Sequence, residues 1–289
     1  MAILGLPTMT EPMQTLGSLC SGIGGLDIAV EQHFGAQLSW HSDIDPRSEA
    51  VMGHHWPDSK AIGDFTQVDP TSLQCDVLCC GFPCQPVSVA GLKAGTADKR
   101  WLFDDIVAFI NQLSQLPKVM VFENVQGFLS NDGGKTARRV VGQIVSLGYR
   151  LDWGLVRASD AQLPHQRSRW FGLATLTDSD HTGWSEQRRP LTVEKEQPPA
   201  QRSSGASWGN YTTAIETWEE VFRPAPHPLI DGLLSPQFVE WMLGYPDDWT
   251  SAVPSRSHRL KLLGNSVSPP QARLALDLLS TQYKTDLAA

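Results

Sequence analysis

From Thr15 to about Thr175, short apolar runs alternate with stretches of helical period, and this rhythm constrains the fold more than any other feature. Residues 16–19, 38–41, 76–80, 119–122 and 170–173 are apolar runs too short for helices and read as strands. Between them, residues 26–34, 101–113 and 136–147 carry helical spacing. In the second of these, Trp101, Phe103, Ile106, Val107, Ile110 and Leu113 share one face. Strands alternating with helices build a mostly parallel sheet with helices on both faces, a Rossmann-like α/β architecture. At 289 residues, 41% hydrophobic and 19% charged, the chain can bury such a core and is not disordered.

The rhythm breaks after about Thr177. Pro198-Pro199, the run Pro224-x-Pro226-x-Pro228 and the small polar residues 203–207 show no period. This reads as an irregular second region with a small core of its own around Trp184, Trp208 and Trp218. Helical pattern returns at Ser235-Pro236, an N-cap followed by a proline at the first helical position. A last helix opens at Pro269-Pro270. The expected boundaries are a loose extension over 1–14, a main domain over 15–177, the second region over 178–255 and a closing segment over 256–289.

Five cysteines, four of them within ten residues, make no disulfide framework and suit a reducing compartment. Their spacing, Cys75-x3-Cys79-Cys80-x3-Cys84, lacks zinc-type pairs, so no metal is expected. The first fifteen residues hold no Lys or Arg, which argues against a secretory leader, and no run suits a membrane helix. A cytoplasmic location is expected. The formal charge of −8 is unevenly placed. Residues 135–169 hold seven basic residues against two acids, and Arg256, Arg259 and Lys261 form a second cluster. The two clusters are ordinary solvated faces or the walls of a phosphate-facing cleft.

Several strand ends carry chemistry. The strand at 16–19 runs into Gly22-x-Gly24-Gly25 and then a helix, a turn that lets a ligand approach a helix N-terminus. About 20 residues on, Asp43 ends the second strand, where an acid can hydrogen-bond ribose hydroxyls. Asp64 stands where it can accept from an adenine amine. A nucleoside-containing cofactor is therefore expected. The buried run ending at Cys80 leads into Gly81-Phe82-Pro83-Cys84-Gln85-Pro86, placing Cys84 at the ligand-binding edge of the sheet as a candidate nucleophile. Cys75, Cys79 and Cys80 read as packing. The run 119–122 ends in Glu123-Asn124-Val125, where burial would raise the glutamate's pKa toward that of a proton donor. A capping or salt-bridged glutamate is the alternative reading.

With these pieces in order, the sequence resembles the cytosine-C5 DNA methyltransferases. Six blocks carry the likeness, in the family's order: Leu19-Cys-Ser-Gly-Ile-Gly-Gly25, Asp43, Gly81-Phe-Pro-Cys-Gln85, Phe122-Glu-Asn-Val125, Gln166-Arg-Ser-Arg169 and Leu263-Gly-Asn-Ser-Val267. Residues 234–249 also resemble the segment that follows the family's variable recognition region. The resemblance implies S-adenosylmethionine as methyl donor, S-adenosylhomocysteine as product, and double-stranded DNA as partner. Cys84 would attack C6 of a flipped-out cytosine. Glu123 would hydrogen-bond or protonate N3, with Arg167, Arg169 and Asn124 helping to hold the base or its charge. Cys20, Gly22, Gly24, Gly25, Asp43, Ile44, Asp64, Asn265, Ser266 and Val267 would form the cofactor site. Gln85 and Ser88 would touch DNA from the loop carrying Cys84. Arg188, Arg189, Arg202 and Arg223 would read bases or contact phosphates from the second region, then the target-recognition region. A monomer, in a prokaryotic or phage-infected cell and with a restriction endonuclease as a partner on the same site, fits the resemblance.

Two departures stand out: Cys20 replaces a frequent phenylalanine, and Ser168 replaces an acid common between the two arginines. The tRNA-methylating branch shares the catalytic blocks but typically carries a later cysteine, and none follows Cys84 here. An idle DNA-binding homologue would not need Cys84, Glu123, Arg167 and Arg169 intact. A nicotinamide enzyme would need Gly-x-Gly-x-x-Gly, which Gly22-Ile-Gly-Gly-Leu-Asp does not supply.

Overall fold

The structure, a computed structural model, describes residues 13–83, 101–177 and 208–288, with side chains to residue 281. Seven strands form one sheet: β1 (Thr15–Leu19), β2 (Gln37–Ser42), β3 (Lys60–Ala61), β4 (Val77–Cys80), β5 (Val119–Val125), β6 (Tyr149–Arg157) and β7 (Ser168–Leu176). Their order is β3-β2-β1-β4-β5-β7-β6, parallel from β3 to β5, with β7 antiparallel to both its neighbours. The expected Rossmann-like sheet is thus present. A two-stranded hairpin, β8 (Leu229–Ile230) and β9 (Leu233–Leu234), stands apart from it.

The central strands are continuously apolar because both their faces are covered. Val77, Cys79, Val119, Val121, Phe171 and Leu173 point to one face, where Leu26, Ala29 and Val30 of α1 (Gly25–Phe34) meet Ala272, Ala275, Leu276 and Leu279. Leu78, Cys80, Met120, Phe122 and Trp170 point to the other. Two helices cover that face, their contact residues being Phe103, Ile106 and Ile110, and Val140 and Ile144. In chain order the remaining helices are α2 (Pro46–His55), α3 (Leu102–Asn111), α4 (Lys135–Ser146), α5 (Thr212–Val221), α6 (Pro236–Leu243), α7 (Arg256–Asn265) and α8 (Pro269–Ala288). Each fully buried aliphatic or aromatic side chain contributes roughly 1.5–3 kcal/mol, so the two layers dominate stability. Among the described residues, no helix is long and apolar enough to cross a membrane.

The second region differs from its sequence reading. Residues 212–221, read as irregular, form α5, which buries only Ile215 and Trp218 and so shows little period. Its small core gathers two of the expected tryptophans and is shared with the main domain. Trp208 stacks on Phe238 with ring centroids 5.8 Å apart, and Trp218 Nε1 donates to the Trp241 carbonyl at 2.9 Å. Ala158 and Leu163, from the turn between β6 and β7, complete the cluster. Trp184 lies outside the described residues. The start of α6 is as expected, with Ser235 Oγ accepting from Phe238 N at 3.3 Å and Pro236 at the first helical position.

The chain's last third folds back onto its first. Tyr245 Oη donates to the Val267 carbonyl at 2.7 Å, and Trp249 Nε1 donates to the Ile23 carbonyl at 2.8 Å. A Cβ on Gly25 would overlap both Tyr245 Oη and the Val267 carbonyl oxygen, which is why this position needs glycine. Neither opposing group is the free end of a flexible chain, so the clash has no cheap escape. Gly25→Ala is therefore expected to destabilise the fold by about 1–3 kcal/mol, as overpacked cores do. A urea or thermal melt within error of the parent would show that the two segments are not in this register.

Candidate active site

Strand β1 ends in a strained turn. Cys20 has φ 54°, and Gly22 and Gly24 have φ 56° and 80°, backbone conformations that glycine tolerates and cysteine does not favour. The turn is tied to the end of β2. Ser21 N donates to the Ser42 carbonyl at 3.0 Å, and Gly22 N donates to Asp43 Oδ2 at 2.8 Å. Asp43 Oδ1 accepts from Asp45 N at 2.8 Å. Burial pushes the Asp43 carboxyl up, and these backbone donors pull it back. Beside it Ile44 is 79% exposed, an apolar side chain presented to solvent at the sheet edge. Asp64 is exposed, and its Oδ1 accepts from Thr66 N at 3.0 Å and Thr66 Oγ1 at 2.7 Å, capping a short turn.

One cleft gathers residues from distant parts of the chain. Cys20, Gly22 and Gly25 line it with Gly81, Glu123, Asn265, Ser266 and Val267. The clamp by Tyr245 and Trp249 is what brings the 265–267 segment there. Gly24, Asp43, Ile44 and Asp64 border the same edge of the sheet without lining the cleft.

Glu123 sits near the end of β5 and is 8% exposed. Its Oε1 lies 2.8 Å from Arg169 Nε. The register explains the pair: Val125 opposes Arg169 and Glu123 opposes Phe171, so Glu123 and Arg169 are diagonal neighbours on one face. Burial raises the Glu123 carboxyl, while Arg169 and then Arg167 draw it down. The first effect is the larger. Arg167 is itself brought down to about 10 by burial and by Arg169, which leaves it a cation at neutral pH. Burial and the same arginines hold His165 at about 4, hence neutral. The pair belongs to the salt-bridged reading of Glu123, but its pKa moves in the direction a proton donor needs.

Two of the expected site residues have protein partners. Asn124, expected at the base, is turned to protein: its Nδ2 donates to the Phe82 carbonyl at 3.0 Å and its Oδ1 accepts from Val125 N at 2.8 Å. It braces the segment that leads to Cys84. Phe82 is fixed further by edge contacts with Phe103, Phe122 and Phe128, at 4.9, 6.4 and 5.5 Å between ring centroids. Arg223, expected at DNA, is held by Asp247 at 2.8 Å and by the Tyr245 carbonyl at 3.0 Å. Both basic clusters are largely paired. Arg139 meets Asp104 at 2.6 Å, Arg150 meets Asp152 at 3.0 Å and Arg157 meets Asp160 at 3.1 Å. Arg259 meets the fully buried Glu240 at 2.9 Å, and Arg256 Nε donates to the Leu234 carbonyl at 2.8 Å. Cys84, Gln85, Ser88, Arg188, Arg189 and Arg202 lie outside the described residues.

Three residues of this neighbourhood escaped the sequence reading. Tyr245 and Trp249 stood only within the segment 234–249 that carries part of the likeness, and nothing pointed to their clamping role, because their partners are backbone carbonyls. Asp27 was legible: it follows the glycine turn and shares a helical face with Val30, and the structure buries it.

A twisted sheet ordered 3-2-1-4-5-7-6, with a glycine turn and a buried acid at its carboxyl edge, defines a nucleotide-type cofactor-binding enzyme fold. The family model described as C-5 cytosine-specific DNA methylase matches residues 14–228, and the chain belongs to that family of enzymes. It is 26% identical over 299 aligned positions to the type II methyltransferase M.MspI of Moraxella sp, across 92% of this chain and 70% of that protein. It is 27% identical to the type II methyltransferase M.NgoBI of Neisseria gonorrhoeae, across 87% of this chain and 88% of that one. Among solved structures, the S. pombe Dnmt2 methyltransferase superposes with TM-score 0.63 at 20% identity, over 93% of this chain and 99% of that one. The Entamoeba histolytica methyltransferase EhMeth gives TM-score 0.65 at 17% identity, over 94% and 99%. These two likenesses speak for the fold.

Removing the Arg169 charge leaves Glu123 buried without its partner, so Arg169→Met should cost about 3–5 kcal/mol in stability and raise the Glu123 pKa further. Carbon-13 NMR of labelled glutamate reads both states. An unchanged or lower Glu123 titration midpoint in the variant would show that the ion pair does not set it.

Proposed function

We propose that this chain transfers a methyl group from S-adenosylmethionine to C5 of a cytosine flipped out of double-stranded DNA, through a transient bond between Cys84 and C6. The observation that carries this reading is the cleft itself. A glycine turn, the 265–267 segment and a buried, arginine-paired carboxyl group converge there, and Gly81–Pro83 leads from it toward Cys84. A Cβ on Gly81 would lie 3.7 Å from Glu123 Oε2, so the chain leaves β4 alongside the proton donor.

The residues fit the cofactor. Gly22 and Gly25 leave room at the turn, and Asp43 keeps lone pairs free for ribose hydroxyls beyond the two backbone donors it accepts. The exposed Ile44 offers an apolar surface for an adenine ring, and Asp64 an acceptor for its amine. When bound, S-adenosylmethionine supplies the methyl group.

The chain's own residues do the rest. Cytosine C5 is a weak nucleophile until C6 is saturated. The Cys84 thiolate forms the bond to C6, and the electron pair displaced from the 5,6 double bond makes C5 enamine-like. Charge that builds toward N3 meets Glu123, whose raised pKa keeps a proton available closer to neutral pH. Arg169 holds the Glu123 carboxyl in place, and Arg167 adds positive potential beside it. After C5 accepts the methyl, its proton leaves to base, the Cys84–C6 bond breaks and the thiolate departs. Extruding the base costs a few kcal/mol, repaid by pocket and backbone contacts. The target site belongs to the segment between the blocks, and a restriction endonuclease sharing that site is the expected partner.

DNA from cells expressing the chain should carry 5-methylcytosine in one short motif, and Cys84→Ala should abolish it. Glu123→Gln should slow turnover ~100-fold or more. A duplex with 5-fluorocytosine at the target should become covalently joined to the protein, because the fluorine cannot leave as a proton does. Methylation surviving in Cys84→Ala would overturn the nucleophile, and near-normal turnover of Glu123→Gln would remove that residue from its role.

A further inference from the structure

Among the described residues, Asp27 is the one charged residue lining the cleft that the chemistry above leaves unused. It is the third residue of α1, 1% exposed, and faces β1 and β4. The Cys79 thiol donates to its Oδ1 at 3.6 Å, and Cys79 Sγ also lies 3.4 Å from Ser18 Oγ. Oδ2 has no hydrogen-bond partner. Among the described residues, no Lys, Arg or His forms an ion pair with this carboxyl group. Weak neutral donors and the partial positive end of α1 are what offset its charge. Among the described residues the other buried carboxylates have a cationic partner, Glu123 with Arg169 and Glu240 with Arg259, and the half-buried Asp43 has two backbone donors.

A buried acid without a cation is costly to keep ionised, and what relieves that cost is positive charge arriving in the cleft. We propose that Asp27 is the counter-charge that makes this cleft prefer the cationic sulfonium form of the cofactor over its neutral thioether product. S-adenosylmethionine and S-adenosylhomocysteine share every group but the sulfonium methyl, so shape alone discriminates poorly between them. A fixed negative charge beneath the turn discriminates by Coulomb attraction, through a medium that screens far less than water. It favours loading the methyl donor and releasing the spent product. This inference rests on the cofactor assignment proposed above.

Burial raises the Asp27 carboxyl to about 6, with Ser18 and its own backbone opposing and Glu31 reinforcing the rise. Facing it, Cys79 on β4 and Tyr245 from the segment after α6 are both pushed up by burial and stay neutral through the physiological range. Glu31, one turn along α1, accepts from Leu38 N and Trp56 Nε1. The sign follows. A cation in the cleft lowers the Asp27 pKa, so binding releases a proton near pH 6 and weakens as pH falls below that value. Glu123 in the cleft and Asp43 beside it are also raised, so the difference between the parent and an Asp27 variant isolates the effect.

Calorimetric titration of both ligands into the full chain and into Asp27→Asn tests this without reading activity. At about pH 7.5 the variant should bind S-adenosylmethionine about tenfold more weakly and S-adenosylhomocysteine within about twofold of the parent. For a tenfold coupling, lowering the pH to about 5 should cost the parent a further factor of about five that the variant does not show. Equal losses for both ligands would mean that Asp27 merely supports the turn, and an unchanged preference would end the proposal. Should Asp27→Asn not fold, the parent still decides: near pH 6, in buffers of different ionisation enthalpy, the sulfonium ligand must release more protons than the thioether. Equal release overturns the idea. A parent that binds neither ligand would instead refute the cofactor assignment, and this inference with it.

Discussion

The close approach of Gly25 to the Val267 carbonyl and Tyr245 Oη is the contact on which the site depends. The glycine turn after β1 has two φ values in the left-handed region at glycines and a third at Cys20, so it does not hold its shape alone. Backbone bonds to β2 fix one side, and the returning segment after α6 fixes the other. Each such buried hydrogen bond contributes only about 0.5–1.5 kcal/mol, yet leaving its partners unsatisfied would cost more. The turn therefore exists as part of a clamp joining residues more than 200 positions apart in the chain. Loss of that clamp would open the cleft before it melted the sheet, because the two apolar layers lie on the faces and not at the edge.

Charge in this protein is arranged by position more than by amount. Glu123 and Arg169 pay for removal from water with an attraction that roughly compensates it, so the pair is weak evidence for stability and strong evidence for orientation. Arg259 with Glu240 does the same at the junction of α6 and α7, where Thr250 also donates from its backbone N at 2.9 Å. The acidic total of −8 and the apparent basic clusters both mislead until these partners are known.

The strands of the sheet's middle were legible because residues buried on both faces leave unbroken apolar runs. Strand β6, at the edge and half-buried through most of its length, leaves none. Helix α5 was hidden by burying two residues alone, and α7 by a surface almost wholly polar. At the site, the glycine turn, Asp43 and Glu123 could be placed because each stands where an apolar run stops. What could not be read was partnership. Arg139 and Asp104 lie 35 residues apart, Arg223 and Asp247 24 apart, and Asn124 and Phe82 42 apart. Periodicity reports which face a residue takes, and says nothing about which residue from another element shares it.

Strand β7 runs against its neighbours, and this reversal has a chemical meaning. In a parallel sheet the carboxyl edge is where strands exit, and entering segments lie on the far side. By threading backwards, β7 delivers its amino-terminal end, with Arg167 and Arg169, to the edge from which β1, β4 and β5 emerge. Gln271 of α8 secures that inbound segment by donating to the carbonyls of both Val156 and Arg167, at 2.8 and 2.9 Å. The acid arrives on an outgoing strand and its guanidinium on an incoming one, so the two halves of the ion pair are carried by opposite chain directions and meet only because a single hairpin turns around.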